Sequence, residues 1–160
     1  NADDVVFSFK RQMKESIPSK SEQAKFINFR NRNLDELIVS IDKVNEQTIL
    51  ITTKHKLINI YELLSEHFLS IYSHEYFLKL KKKNKLNLFF KRPIGTGPFK
   101  FYKKKKDIQV SLKTNNLYHG NIPNIKKLTF YLVTNNEKRT NYALKGTCQI
   151  THNPSWSAIR

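Results

Sequence analysis

The stretch Arg92-Pro93-Ile94-Gly95-Thr96-Gly97-Pro98 places two of the chain's four glycines within three positions, a spacing at which backbone N–H groups can cradle a phosphate. Such cradles open a helix, and Pro98 removes an N–H where a helix N-terminus would supply one. The residues that follow, Phe99-Lys100-Phe101-Tyr102, read as a strand. The turn is therefore expected to connect two structural units. Two lysine runs are the next candidates. Lys81-Lys82-Lys83 with Lys85 has Phe89 and Phe90 close by, and Lys103 to Lys106 follows Phe101 and Tyr102, the pattern of a basic groove with stacking aromatics. The competing reading is a pair of solvated turns, and no helix-turn-helix, zinc or ribonucleoprotein motif accompanies either run.

The remaining reactive groups do not assemble. His67 and His74 lie seven apart, with no third Cys, Asp or His near enough to complete a metal site. The single cysteine, Cys148, has no partner for an intrachain disulfide and no neighbouring base, so it reads as a small buried hydrophobe. Carboxylates are few and scattered, and no acid/base pair stands out. No enzyme signature and no cofactor motif is present. Against 13 Asp and Glu stand 29 Lys and Arg, a formal charge of +16 that attracts nucleic acid, anionic lipid or acidic peptides. Part of the lysine travels with asparagine and isoleucine, a bias that background composition can produce. No apolar run approaches the length of a membrane span, and no signal peptide is expected at Asn1.

The elements that must carry these residues are mixed α and β. A helix is expected over 1–16, with Asn1 as cap, Asp3 and Asp4 at its positive end, and Val6, Phe9 and Met13 on one face. Residues 16–33 read as loop anchored by Phe26 and Phe29. The alternation of Leu37, Val39 and Ile41 and the run 48–53 predict a hairpin around Asn45-Glu46-Gln47. Ile60, Leu63, Leu64, Phe68 and Ile71 predict one amphipathic helix over 58–72, followed by a second over 74–82. Beyond the Gly-Thr-Gly turn come strands near 98–104, 108–114 and 125–133, a helix over 136–145 stopped by Gly146, and a last strand at Thr147-Cys148-Gln149-Ile150-Thr151.

Three segments, "NADDVVFSFKRQ" at 1–12, "RPIGTGPFKF" at 92–101 and "ALKGTCQITHNP" at 143–154, resemble in order and spacing the solute-binding proteins of peptide-type ABC transporters. The likeness is greatest to the dipeptide-binding and Sap-type branch of the family 5 extracytoplasmic binding proteins, and "YHGNIPNIKKLTF" at 118–130 extends it. The resemblance implies a mixed α/β portion of a two-lobed periplasmic binding protein. Residues 1–92 would belong to an auxiliary lobe and 93–160 to the main ligand-binding lobe. Pro93, Gly95, Thr96, Gly97 and Pro98 would form the lobe-connecting turn, the glycines supplying φ values and close backbone approach. His152, Asn153 and Trp156 would line the ligand cleft, with Phe26 and Phe29 as further aromatic contacts. His152 and Asn153 stand where relatives place an aromatic. The family counterpart of Cys148 looks like a partner for a cysteine near the mature N-terminus, which this chain lacks.

The reading that results is an internal fragment of an extracytoplasmic substrate-binding protein. It would capture a peptide, or in some relatives haem, and deliver it to a membrane permease, without being an enzyme. The fragment's strands would lack sheet neighbours and expose apolar surface. Two rivals stand beside it: a basic nucleic-acid-binding module, which would need saturable affinity well below roughly 10⁻⁶ M to be distinguished from bare charge attraction, and a truncated fragment with no activity.

Overall fold

The computed structural model describes residues 1–13 and 27–155. The chain divides into two compact units, Asn1–Gly95 and Thr96–Arg160.

The first unit begins with helix α1 (Ala2–Lys10). Asn1 accepts a hydrogen bond from the Asp4 amide at 2.9 Å while Asp4 reaches back to the Asn1 amine, a capping box that fixes the helix start. The helix stops at Lys10, short of the expected residue 16, where the Gln12 amide makes a tighter, three-residue bond to the Phe9 carbonyl. In the stretch expected to be loop, residues 14–26 lie outside the described residues, and the rest forms two short helices, α2 (Ile27–Asn31) and α3 (Leu34–Leu37). The hairpin forms as expected from β1 (Ile38–Asn45) and β2 (Thr48–Thr53). Its register skips at Val39, so Ile38 and Ile41 both turn inward and Val39 outward, which breaks the simple alternation. Ile38, Ile41, Phe9, Phe29, Leu34 and Leu69 form the core of this unit.

The helix expected over 58–72 is not continuous. It divides into α4 (Ile60–Leu64), a 3₁₀ turn at His67–Leu69 and extended chain to Ser73. The hydroxyls of Ser65 and Ser70 bond back to the carbonyls of Glu62 and His67 and close each piece. Polar side chains of α1 then take the backbone groups that a longer helix would need. Helix α5 (His74–Lys82) follows, capped by Ser73, and α6 (Asn87–Lys91) lies within what the sequence presented only as a basic run.

In the second unit β3 (Phe99–Lys105), β4 (Gln109–Thr114) and β5 (Lys127–Tyr131) form an antiparallel sheet in the order β3-β4-β5. Lys106 and Asp107 make the first turn, with Asp107 at φ 53°. Helix α7 (Asn136–Leu144) is capped by the Asn135 side chain and ends before Gly146 at φ 68°, the left-handed position that glycine occupies without strain. The strand expected at 147–151 is absent. No described strand lies beside it to complete a ladder, and Cys148 bonds through its amide to the Tyr142 carbonyl instead.

Candidate functional site

Sequence reasoning singled out His152 and Asn153, and the structure shows what holds them. Arg139 projects from α7, and its guanidinium donates to the carbonyls of Val133 and His152 at 2.8 Å each and of Asn153 at 3.2 Å. It also bonds the Asn136 side chain. One planar fork thus joins the exit of β5 to the 152–153 loop, a geometry that five fixed N–H donors provide and a lysine cannot. A second tie sits beside it, where the Ser155 amide donates to Thr140 Oγ1 at 2.9 Å and that hydroxyl donates to the Asn136 carbonyl. Asn153 adopts φ 48°, a left-handed conformation that asparagine tolerates better than most residues. With their backbones fixed, His152 and Asn153 present an imidazole and a carboxamide to solvent. The corner is a hydrogen-bonding surface.

The other residues picked from the sequence fare differently. Phe26 and Trp156 lie outside the described residues. Phe29 is fully buried in the core of the first unit, so as a ligand contact it is a correction: the side chain has no face left for a ligand. In the turn expected to connect the lobes, Pro93, Gly95 and Thr96 are exposed. Neither Gly95 nor Gly97 has positive φ, and a Cβ at either would meet no atom within 4 Å. The expectation that their φ values and close approach require glycine is therefore overturned. Fixation comes from a residue that no sequence motif marks. Asn115, buried at the end of β4, donates to the Gly97 carbonyl at 2.9 Å, and its amide donates to the Pro98 carbonyl at 2.9 Å.

Of the aromatics beside the lysine runs, Phe90 and Tyr102 are exposed and Phe89 is not. Phe89 is buried at 4% exposure, against Phe7, Tyr72 and Phe77, and is unavailable to a base. His67 and His74 sit on different elements, and the His74 ring stacks on Phe7 at 4.7 Å. Cys148 is half-buried.

Helix α1 gives the first resembling segment a physical role. Asp4, Ser8 and Gln12 recur every four residues on one helical face. Asp4 accepts from the His74 amide at 2.8 Å, Ser8 Oγ accepts from the Tyr72 amide at 2.8 Å, and Gln12 donates to the Phe68 carbonyl at 3.2 Å. Helix α1 and the turn after it thereby hold the 68–74 segment, which runs from the 3₁₀ turn through extended chain to the start of α5. On the adjacent stripe, Arg11 lies 4.3 Å from the Tyr72 ring centroid. Burial pulls its guanidinium below the ordinary value, and Tyr72 works in the opposite direction.

Among the described residues no helix is long and apolar enough to cross a membrane, and no group of three or more metal-ligating side chains occurs. Comparison with known proteins accounts for the whole chain. The family described as bacterial extracellular solute-binding proteins, family 5 middle, matches residues 1–160. The di/tripeptide-binding protein 1 of Pseudomonas aeruginosa is 35% identical over 156 residues, 96% of this chain and 29% of that protein. Heme-binding protein A of Haemophilus influenzae is 34% identical over 152 residues, 94% of this chain and 28% of that protein. The crystal structure of a dipeptide-binding protein from Pseudoalteromonas in complex with Met-Leu superposes with a TM-score of 0.88 at 26% identity, over 98% of this chain and 31% of that one. The chain thus spans less than a third of the length of each of these relatives, which are binding proteins and not enzymes. By the match of its full length, and with a fold that corresponds to a fragment of such two-lobed proteins, the chain belongs to the family 5 bacterial extracellular solute-binding proteins.

Proposed function

We propose that this chain is part of the substrate-binding component of a peptide ABC import system. In the full protein, dipeptides or short oligopeptides would be captured between two lobes outside the cytoplasm, in the periplasm, and passed to a membrane permease. The observation that carries this reading is the 35% identity to a di/tripeptide-binding protein across 96% of the chain. On the same reading, residues up to the Pro93–Pro98 turn belong to the auxiliary lobe and those after it to the main ligand-binding lobe. His152, Asn153 and Trp156 are the candidate ligand contacts. Recognition would rest on hydrogen bonds to the peptide backbone, with pockets tolerant of different side chains. A second ligand class, haem, is favoured by the 34% identity to a heme-binding protein.

Calorimetric titration of the full-length protein with dipeptides, longer peptides and haem, each separately, tests this. Saturable binding of a peptide, weakened by His152→Ala or Trp156→Ala at unchanged melting temperature, is the expected result. Saturable binding of haem alone moves the assignment to haem. If neither ligand class binds saturably, the proposal fails, and unchanged affinity in both variants removes these residues from the site.

A further inference from the structure

The sheet of the second unit has two chemically opposite faces. Directly paired residues share a face, and the register sets Lys100 opposite Lys113 and Lys113 opposite Lys127, a row of three lysines across all three strands. Lys103 pairs with Ser111 and Lys105 with Gln109, two and four positions along β4 from Lys113, so they lie on that same face. Phe99, Phe101, Leu112 and Leu128 lie on the other. Four of the five lysines are exposed and Lys100 is half-buried. Like charges set directly opposite one another destabilise a sheet. Among the described residues none of the five forms an ion pair that would relieve this. The Tyr102 ring lies between two of them, 5.9 Å from Lys103 Nζ and 5.4 Å from Lys113 Nζ.

From the usual strand spacing of about 4.8 Å and rise of about 3.3 Å per residue, the array covers about 10 Å across the strands and about 17 Å along β3. We infer that this lysine face is a docking surface for an anionic membrane, read through acidic phospholipid headgroups. Charge complementarity selects the partner, and three features of the face favour a membrane over a nucleic acid. The array is two-dimensional rather than a groove that tracks one strand. It contains no arginine, whose planar fork serves point recognition of a phosphate, whereas lysines act as diffuse point charges towards a charged plane. Its two tyrosines are each paired with side-chain neighbours, Tyr102 with the flanking lysines and Tyr131 edge-on with Tyr142, rather than aligned as a run of stacking rings. The inference does not depend on which solute the protein binds.

Sedimentation of the full-length protein with vesicles of phosphatidylcholine, with and without phosphatidylglycerol, tests it at roughly 0.1 M salt, where the Debye length is about 10 Å. Binding is expected only with phosphatidylglycerol. The triple variant Lys100→Gln, Lys113→Gln, Lys127→Gln should weaken it by on the order of 10²-fold, about fivefold per lysine. A control triple, Lys81→Gln, Lys82→Gln, Lys83→Gln, removes the same charge at the end of α5 and should change it far less. Equal losses in both triples would reduce the effect to net charge and overturn the assignment, as would equal binding to both vesicle types. If the sheet triple instead loses affinity for a single-stranded oligonucleotide while vesicle binding persists, the partner is a nucleic acid and the proposal is wrong. Should the sheet triple misfold, salt titration of the unaltered protein decides: vesicle binding that survives 1 M salt, where the Debye length is about 3 Å, refutes an electrostatic face.

Discussion

Removing Arg139 should release the 152–153 loop without unfolding the unit that carries it. Its two 2.8 Å guanidinium bonds, to the Val133 and His152 carbonyls, connect segments that no described strand pairing joins. A hydrogen bond from a charged donor contributes about 1.5–3 kcal/mol when shielded, and partial exposure argues for about 1 kcal/mol each. The coupling is then about 2 kcal/mol, or roughly 30-fold in the local opening equilibrium. The Ser155 amide is the reporter, because its bond to Thr140 Oγ1 persists only while the loop lies against α7. In Arg139→Gln its hydrogen exchange should accelerate by roughly 30-fold, while amides in the centre of β4 keep their protection. Arg139→Lys should resemble the glutamine variant, since one ammonium cannot span both carbonyls. Ser155 exchange at the wild-type rate in both variants would refute the argument and leave the corner held by Thr140 alone.

Ser8→Ala should cost about 1–3 kcal/mol, because it leaves the Tyr72 amide beside a fully buried position with no acceptor at 2.8 Å, and the urea midpoint of the first unit reads that loss directly. Gly97→Ala should stay within about 0.5 kcal/mol of the parent, having negative φ and open space at Cβ, while Asn115→Ala should cost about 1–3 kcal/mol through the Gly97 carbonyl and the Leu117 amide that its side chain leaves; a larger loss at Gly97 than at Asn115 in thermal melts would contradict this. Lys43 bonds Asp3 at 2.7 Å and Glu46 at 2.5 Å, and these bonds raise its pKa, so its contribution is fully present below the unfolded-state value and disappears as pH rises through the folded one. The stability difference between the parent and Lys43→Gln should therefore be constant near neutrality and vanish in strong alkali, and a difference that grows with alkalinity would reverse the assignment. Because every buried apolar residue among the described residues lies in the first unit, and Phe130, Leu132, Leu144 and Ile150 of the second are half or more exposed, the isolated chain should self-associate with concentration-dependent sedimentation. A concentration-independent monomer would show that this surface needs no cover.

Legibility in the sequence followed the range of the signal. The hairpin at 38–53, the β3–β4–β5 meander and α7 were all readable, because turn residues, alternation and caps act within a few positions. The helix over 58–72 was misread for a complementary reason. Its apolar spacing is real, and Leu63 and Phe68 do pack on the core, but they reach it from two separate pieces of backbone, α4 and the 3₁₀ turn. What breaks the helix is Ser8 and Gln12, more than fifty residues away, which claim the backbone groups of Phe68 and Tyr72. A periodic pattern reports which side chains go inside. It does not report whether a distant polar side chain outbids the next helical hydrogen bond.

The candidate corner was harder to read, and the reason lies in the kind of partner its organiser uses. Arg139 stands in Asn135-Asn136-Glu137-Lys138-Arg139, where it looks like one more cation on a polar helix among 29 Lys and Arg. Four of its partners are main-chain carbonyls, which any residue at 133, 134, 152 or 153 would supply, so no side-chain pairing in the sequence announces the contact. Asn115 is hidden in the same way, since it fixes the turn through the carbonyls of Gly97 and Pro98. The glycines are conspicuous by type, but their backbone is ordinary at this place. In both cases the residue that positions the segment is a side chain reading backbone. The segments it positions carried the family resemblance, so sequence could locate the corner while only three-dimensional structure could show what holds it.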